Sequence, residues 1–256
     1  MVVLDARGVK KSFGGVKALR GVDVTVQEGT ITALIGPNGS GKTTLFNILS
    51  GVLPMDEGKV IFMNQEIGNW PAYKRAALGI ARTFQNLQIF QEMSVLENVM
   101  AGGFRHTSSG FMAGGLSLPK ARGEMGALEK KALKLLEELE LTPYAHVQAG
   151  ELPFGIQRKV EIARALALAP RLLLLDEPAA GLTTKETLAL ARFIHGLKER
   201  GITVFLVEHD MDLVMGISDW VIVLNFGQKI YEGTPLAVKR ERTVIKAYLG
   251  EKRAKG

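Results

Sequence analysis

Apolar residues dominate two short segments near the start of the chain. Segments 22–27 and 30–35 are predicted to be strands, because their residues are largely apolar or alternate with polar ones, and a glutamate–glycine pair typical of a turn separates them. The next stretch, 36–40, is rich in turn formers, and helical periodicity then runs from about 42 to 49. This order predicts a strand, a glycine-rich loop and a helix.

The rest of the chain alternates between apolar runs and amphipathic segments. Strands are predicted at residues 59–64, 172–175, 202–207, 220–225 and 229–232. Helices are predicted at residues 127–141, 155–168, 184–199 and 210–217. This alternation implies a parallel sheet with helices on both faces, and the four leucines at 172–175 suit a central strand. A stretch rich in glycine and serine, 101–126, is predicted to be an insertion with long loops.

Composition narrows the class of protein. The chain has 256 residues, of which 46% are hydrophobic, so it can bury a sizeable core and is not expected to be disordered. It has no cysteine, which excludes disulfides and thiolate metal sites. No apolar run approaches the roughly 20 residues that span a bilayer, so we expect a soluble or peripheral protein.

The net charge of +6 suits an anionic ligand such as a nucleotide, or a position near an anionic membrane surface. Because no basic block with interleaved aromatic residues is present, nucleic acid is not expected as a partner.

The glycine-rich loop has the pattern of a phosphate cradle. From Gly36 to Thr43 the chain matches G-x-x-x-x-G-K-[ST], in which the glycines allow backbone N–H groups to point at one centre. Lys42 is predicted to reach the β- and γ-phosphates, and the hydroxyl of Thr43 to ligate Mg²⁺. The alternative is a glycine-rich turn with an incidental lysine, but the flanking strand and helix favour the cradle.

Two carboxylates follow the leucine strand. Asp176 and Glu177 stand at its carboxyl end, where ligands bind in open α/β sheets. Asp176 is predicted to hold Mg²⁺ through water, and Glu177 to polarise the attacking water as a general base. The alternative is a helix cap followed by a surface acid.

Together with five further stretches, these motifs resemble the ATP-binding subunit of an ABC transporter over nearly the whole chain. The five stretches are residues 11–19, 82–86, 152–166, 178–183 and 207–211. The resemblance implies an α/β fold: a P-loop NTPase core whose parallel sheet is flanked by helices, an N-terminal antiparallel β part and a helical subdomain. It also implies one ABC ATPase domain over residues 1–256, with the helical subdomain at about 86–165.

The resemblance assigns roles to single residues as well. Gln85 lies where the family has a glutamine that senses Mg²⁺ and the γ-phosphate and links to the membrane subunits. His209 matches the switch histidine, whose alternative is a structural histidine at a strand end. Phe13 matches the aromatic that stacks on adenine, with Val16 nearby, and its alternative is an ordinary core phenylalanine.

Residues 152–157, Leu-Pro-Phe-Gly-Ile-Gln, resemble the family signature L-S-G-G-Q but depart from it. Pro153 replaces the serine, Phe154 the first glycine and Ile156 the glutamine, so the hydroxyl that would touch the γ-phosphate is missing. In the family this motif contacts the nucleotide held by a second subunit. The segment 178–183 resembles the loop that crosses the dimer interface, except that Thr183 stands where Asp or Asn is usual.

The implied site therefore has three parts. Its catalytic residues are Glu177 and His209. Its nucleotide-binding residues are Phe13, Val16, Gly36, Pro37, Asn38, Gly39, Ser40, Gly41, Lys42, Thr43, Thr44, Gln85, Leu152, Gly155 and Gln157. Its metal ligands are Thr43, Gln85 and Asp176, and its cofactors are ATP and Mg²⁺.

The finer resemblance is to importers of branched-chain amino acids, and it is carried by residues 176–182, 208–219 and 244–250. It implies a subunit on the cytoplasmic face of the plasma membrane, with two hydrophobic permease subunits, a second ATP-binding subunit that is the same chain or a paralogue, and indirectly a solute-binding protein. None of these residues is expected to touch the solute. Transporters of urea and of lipid or lipopolysaccharide for export therefore stay open as alternatives. A separate alternative is an ABC ATPase of DNA repair or translation, and a P-loop kinase is disfavoured by the signature helix and His209.

Overall fold

The computed structural model describes residues 1–106 and 119–253. The chain divides into two compact units. The first comprises Met1–Arg82 and Arg171–Gly256, and the second comprises Thr83–Pro170. Within the described residues, no helix combines the length and the apolar character that a membrane crossing needs.

The described residues contain ten strands and nine α-helices. The strands are β1 (Val2–Phe13), β2 (Val16–Gln27), β3 (Ile31–Ile35), β4 (Glu57–Phe62), β5 (Gln65–Glu66), β6 (Ile80–Arg82), β7 (Leu172–Asp176), β8 (Thr203–Val207), β9 (Trp220–Asn225) and β10 (Gln228–Gly233). The helices are α1 (Lys42–Leu49), α2 (Ala72–Leu78), α3 (Val95–Gly103), α4 (Pro119–Glu138), α5 (Phe154–Leu166), α6 (Thr184–Glu199), α7 (Met211–Ile217), α8 (Pro235–Arg240) and α9 (Arg242–Arg253).

A six-stranded sheet forms the centre of the first unit, in the order β10-β9-β3-β8-β7-β6. The pairs between β9 and β6 are parallel, and β10 closes the sheet antiparallel to β9. All residues of β3, β7 and β8 are buried, which explains why each of these strands is apolar except for one residue: Thr32, Asp176 and Thr203 respectively. The predicted parallel sheet and the predicted closing pair of strands are therefore confirmed. The leucine strand β7 is an interior strand, but it lies next to the edge strand β6, and the central positions belong to β3 and β8.

A second, antiparallel sheet has the order β2-β1-β4-β5. The sequence did not predict β1, because its buried residues do not alternate regularly. Shifts of register between Ala6 and Val9, and again between Lys11 and Ser12, bring the apolar side chains to the core at uneven spacing. This sheet is the expected N-terminal antiparallel part.

Several predicted boundaries are wrong by a few residues. The strand predicted at 59–64 ends at Phe62, because Met63 and Asn64 adopt positive φ angles of 47° and 65° in a turn. The helix predicted from 127 begins at Pro119. The predicted insertion at 101–126 lies in part outside the described residues, at 107–118.

The carboxyl end of α1 is held by a buried arginine that the sequence did not single out. Arg75 is 1% exposed and comes from α2. Its guanidinium donates to Ile48 O at 2.6 Å and Leu49 O at 2.8 Å, and to Trp70 O at 2.9 Å and Gly68 O at 2.8 Å. The first two bonds cap the last turn of α1, where Ile48 O also accepts the N–H of Gly51 at 3.1 Å.

In the second unit, α3 packs against α4 and α5. Ser94 and Glu97 form a reciprocal capping box that starts α3. The contact with α5 is close: a Cβ at Gly102 would lie 2.0 Å from Arg164 O, so only glycine fits there. The helical character expected for this part of the chain follows from these three helices.

Candidate functional site

The glycine-rich loop joins β3 to α1 and is closely backed by the rest of its unit. Gly36 and Gly41 have φ angles of 154° and 102°. A Cβ at Gly36 would lie 2.1 Å from Leu224 O, and one at Gly41 would lie 2.7 Å from Ala18 O. Glycine is therefore required at both positions by sterics and, at Gly41, by the left-handed backbone as well.

The turn between β9 and β10 supports the phosphate loop through a backbone hydrogen bond. Gly227 donates its N–H to Ser40 O at 3.0 Å and accepts the N–H of Arg20 at 2.8 Å. Phe226, before it, has a φ of 45° and is 73% exposed. The loop thus depends on backbone contacts from β2 and from the end of the central sheet.

Two polar groups of the loop are buried. Lys42 is 5% exposed, and its ammonium donates to Gly36 O at 2.8 Å and Pro37 O at 3.0 Å. The hydroxyl of Ser40 is buried and has no hydrogen-bond partner among the described residues. Thr43 is exposed at the start of α1. These features suit the binding of a phosphate. Lys42 and Ser40 are buried donors beside the loop, and the glycines allow its backbone N–H groups to approach an anion.

Asp176 is the last residue of β7 and forms a buried ion pair. Its Oδ2 accepts from Arg82 at 2.7 Å, and the two side chains are 5% and 8% exposed. Arg82 also donates to Asn47 Oδ1 at 2.8 Å and Ser50 Oγ at 2.7 Å, both at the end of α1. The arginine therefore fixes the carboxylate relative to the helix that follows the phosphate loop.

The structure brings Glu177 and His209 together. His209 Nε2 lies 2.9 Å from Glu177 Oε1. Glu177 has a φ of 45°, which is uncommon for a residue with a side chain, and its N–H donates to Val207 O at 2.9 Å. The two residues follow β7 and β8, which are neighbours in the sheet, so their side chains meet at its carboxyl edge.

Sequence reasoning missed Glu208, which lies beside this pair. Glu208 is 3% exposed and accepts backbone N–H groups from Ala179 at 2.7 Å and from His209 at 2.9 Å. Burial raises the pKa of Glu208, the backbone hydrogen bonds oppose that change, and the charge of Glu177 adds to it. Its only signal in the sequence is an acid at the end of an apolar strand, directly before the histidine.

Phe13 and Val16 lie at the turn between β1 and β2. They are 49% and 69% exposed, so the alternative of an ordinary core phenylalanine is wrong. The ammonium of Lys11 lies 5.7 Å from the centre of the Phe13 ring. An exposed aromatic face of this kind is available for stacking.

The remaining predicted residues lie in the second unit. Arg158 donates to Gln85 O at 3.0 Å and to Phe84 O at 3.0 Å, and it pairs with Glu161 at 2.7 Å. This buried pair fixes the backbone around Gln85 to the helix that follows the altered signature.

The altered signature forms the start of α5. Pro153 is the residue before the helix, Gly155 lies in its first turn, and Gln157 donates to Leu152 O at 2.8 Å. Leu152, Gly155 and Gln157 are thus neighbours within the second unit.

A parallel sheet whose strand leads through a glycine-rich, lysine-bearing loop into a helix defines a P-loop nucleotide-binding protein. The family model described as "ABC transporter" matches residues 19–180. The chain belongs to the ABC transporter family, as one of its ATP-binding cassettes.

Known proteins of this family are similar over almost their full length. The chain is 44% identical over 250 residues to the high-affinity branched-chain amino acid transport ATP-binding protein BraF of Pseudomonas aeruginosa, covering 97% of this chain and 98% of that protein. It is 40% identical over 250 residues to LivG of Escherichia coli, which has the same descriptive name, with the same coverage. A crystal structure of the ADP conformation of an ATP-binding cassette of an ABC transporter is 37% identical, with a TM-score of 0.85, and the match covers 98% of this chain and 99% of that one.

Proposed function

We propose that this chain binds and hydrolyses ATP to power the import of branched-chain amino acids. The observation that carries the hydrolytic part is the 2.9 Å contact between Glu177 and His209, in the same unit as the phosphate loop. The substrate part is supported by the names of relatives that are 40 and 44% identical over nearly the whole chain.

The phosphate loop would hold the nucleotide through its backbone N–H groups and Lys42. On binding, the ammonium of Lys42 exchanges the carbonyls of Gly36 and Pro37 for phosphate oxygens, which are charged and therefore stronger acceptors. The start of α1 adds its positive dipole end. Ser40 and Thr44 supply further hydroxyls, and Asn38 and Gly39 complete the loop.

Thr43 and Asp176 fit Mg²⁺, because a hydroxyl and a carboxylate are the hard oxygen ligands that this ion takes together with phosphates and water. Among the described side chains no cluster of three or more His, Cys, Asp or Glu could hold a metal alone, so the nucleotide would complete the coordination. Bound Mg²⁺ would neutralise charge on the phosphate oxygens. Arg82 holds Asp176 by one oxygen. Gln85 is assigned to Mg²⁺ only because it stands where the family has a glutamine that senses this ion.

Glu177 would accept a proton from the attacking water, and His209 would hold Glu177 in place. Glu177 directly follows the carboxyl end of β7, which is the edge where ligands bind in such sheets. The histidine ring, 2.9 Å away, restricts the rotamer of that carboxylate and can also hydrogen-bond to the γ-phosphate.

At the other end of the nucleotide, the exposed ring of Phe13 would stack on adenine and Val16 would pack beside it. The exposed fractions of 49 and 69% leave both side chains accessible. Stacking on an aromatic face contributes about 1 kcal/mol.

A second ATP-binding subunit would complete each site. One phosphate loop and one signature occur in the chain, and in this family a signature serves the nucleotide of another subunit. We assign Leu152, Gly155 and Gln157 to that contact, made through the backbone at the start of α5, because Pro153 has no hydroxyl to offer. The remaining partners are two hydrophobic permease subunits at the cytoplasmic face of the membrane, docking near residues 85–97, and indirectly a solute-binding protein.

The hydrolytic role is tested by Glu177→Gln in the complete chain. We expect ATP turnover to fall by about 100-fold or more, because the amide cannot accept the proton, while ATP still binds. The matched control is Glu199→Gln, which makes the same change on an exposed side chain of α6. Turnover in Glu177→Gln equal to that in the control would refute the assignment.

The transport role is tested by purification from membranes with the permease subunits, followed by reconstitution in vesicles. We expect ATP-dependent uptake of labelled leucine, isoleucine or valine, and none of labelled urea. The Lys42→Ala complex is the control for ATP dependence. Copurification with ribosomes or DNA in place of hydrophobic subunits contradicts this role, and uptake of urea alone contradicts the solute.

A further inference from the structure

The carboxylate of Glu208 accepts backbone hydrogen bonds from two loops, one that follows β7 and one that follows β8. Its Oε1 accepts the N–H of Ala179, which follows Glu177 in the loop after β7. Its Oε2 accepts the N–H of His209 at 2.9 Å and that of Asp210 at 3.4 Å, both in the loop after β8. One side chain thus bonds to the backbone on both sides of the site.

This arrangement is costly for stability. Glu208 is 3% exposed, and no described side chain forms an ion pair with it. A buried carboxylate without a cation is stabilised here by backbone dipoles alone, and the nearby charge of Glu177 opposes its ionisation. An apolar residue would fill the same space at lower cost. A carboxylate retained in such a place points to a use other than packing.

The contacts close a cycle around the reacting groups. From Glu177 the backbone leads through Pro178 to Ala179, whose N–H is held by Glu208. From Glu208 the next residue is His209, and its ring returns to Glu177 at 2.9 Å. A displacement of either loop therefore changes the separation of Glu177 and His209 unless Glu208 moves both loops together.

We propose that Glu208 is a positioning residue that couples the loop after Glu177 to the loop bearing His209, so that the two side chains keep their contact. This rests on the proposed function, because it assigns Glu208 to the same hydrolytic site. Glu208 contacts no group that the proposed mechanism places on substrate, so it acts only through the two backbones.

The test is Glu208→Gln, which keeps the size of the side chain but leaves one oxygen acceptor and places an NH₂ against a backbone N–H. We expect kcat for ATP hydrolysis to fall about tenfold, the factor that one lost hydrogen bond corresponds to. The dissociation constant for ATP should change less than twofold, because the phosphate loop is untouched. Asp219→Asn is the control at the other end of β3: Asp219 accepts the N–H of Ile31 at 2.9 Å and also pairs with Lys198, so this variant tests whether the loss of an acid outside the site alters kcat.

A purely structural role is separated from positioning by a double-mutant cycle. If Glu208 acts through His209, then adding Glu208→Gln to His209→Ala lowers kcat no further than His209→Ala alone. Multiplying effects, or an unchanged kcat in Glu208→Gln, overturn the proposal. Loss of turnover in Glu177→Gln together with an unchanged Glu208→Gln would refute this inference and leave the proposed function standing.

Native-state hydrogen exchange gives an independent measurement should Glu208→Gln fail to fold. In the wild-type chain, coupling predicts that the amides of Ala179 and His209 open with one free energy and one denaturant dependence. Distinct opening free energies for the two amides contradict the proposal.

Discussion

Replacing Arg75 by methionine isolates the contribution of a buried cation that has only carbonyl partners. The variant keeps the apolar stem and removes all four hydrogen bonds to Ile48, Leu49, Gly68 and Trp70. Hydrogen bonds from a charged group are each worth about 1.5–3 kcal/mol, so the gross loss is roughly 6–12 kcal/mol.

The cost of burying the guanidinium offsets part of this hydrogen-bond energy, because the variant no longer bears that cost. Burial lowers the pKa of Arg75 to about 10, and a change of that size corresponds to roughly 3 kcal/mol. Subtracting this cost from the gross loss leaves roughly 3–9 kcal/mol. We expect a net destabilisation of about 3–5 kcal/mol for Arg75→Met, at the low end of that range, because water can reach some of the freed carbonyls. That is a large part of the roughly 5–15 kcal/mol by which a domain is stable.

The assay is urea unfolding followed by circular dichroism, with the thermal midpoint as a second measurement. For a chain of this size a loss of 3 kcal/mol lowers the midpoint by about 6–12 °C. The control is Arg240→Met, which removes an exposed arginine at the end of α8 and should change stability by less than about 0.5 kcal/mol. A loss below about 1 kcal/mol for Arg75→Met would refute the reasoning.

The same residue predicts a dependence on pH. Because the folded pKa of Arg75 lies below its unfolded value, the unfolded chain binds more protons above about pH 10. This group's contribution to stability therefore rises as pH increases through that range, and stays constant below it. The free energy of unfolding of the wild type minus that of Arg75→Met, measured by urea unfolding, should therefore be larger at pH 10.5 than at pH 8.

The other predictions concern the site and its surroundings. Lys42→Ala should abolish ATP binding measured by calorimetry, and an unchanged affinity would contradict the cradle. Phe13→Ala should weaken ATP binding about fivefold, which corresponds to about 1 kcal/mol, while Phe13→Tyr restores it; equal affinities in all three chains would exclude stacking. Arg82→Met should lower stability by about 3–5 kcal/mol, because it leaves Asp176 buried and unpaired; an unchanged urea midpoint would show that the pair is not needed. Phe226→Gly should raise stability by up to about 1 kcal/mol by relieving the left-handed backbone, and a loss of stability would show that the ring makes contacts that outweigh it.

The central sheet was predictable because its sequence pattern is direct. Residues 172–175 and 204–207 are apolar throughout, as buried parallel strands are, and the acids and the histidine that follow them had to lie at one edge. For the same reason the contact between Glu177 and His209 agrees with the predicted placement of both residues. Their catalytic roles stay predictions until the variants are measured.

Other features left no such pattern. Strand β1 is interrupted by bulges, so neither a period of two nor one of 3.6 describes it. Sequence analysis assigned no role to Arg75 or Arg82, and only the fold shows that both side chains are buried. Glu208 became visible because Ala179, 29 positions earlier in the chain, donates to it. Partners so distant in sequence cannot be read from local spacing.

The backbone bonds of Gly227 have a consequence for biosynthesis. The phosphate loop is encoded in the first fifth of the chain, yet its Ser40 carbonyl is satisfied by a residue near the other end. Chains are synthesised from the amino terminus, so a ribosome-bound fragment can contain the complete loop sequence while the turn that supports it has not yet been made. We expect such a nascent chain to leave the loop without its support, so that the ability to capture nucleotide arises abruptly, once the last two strands have left the ribosome.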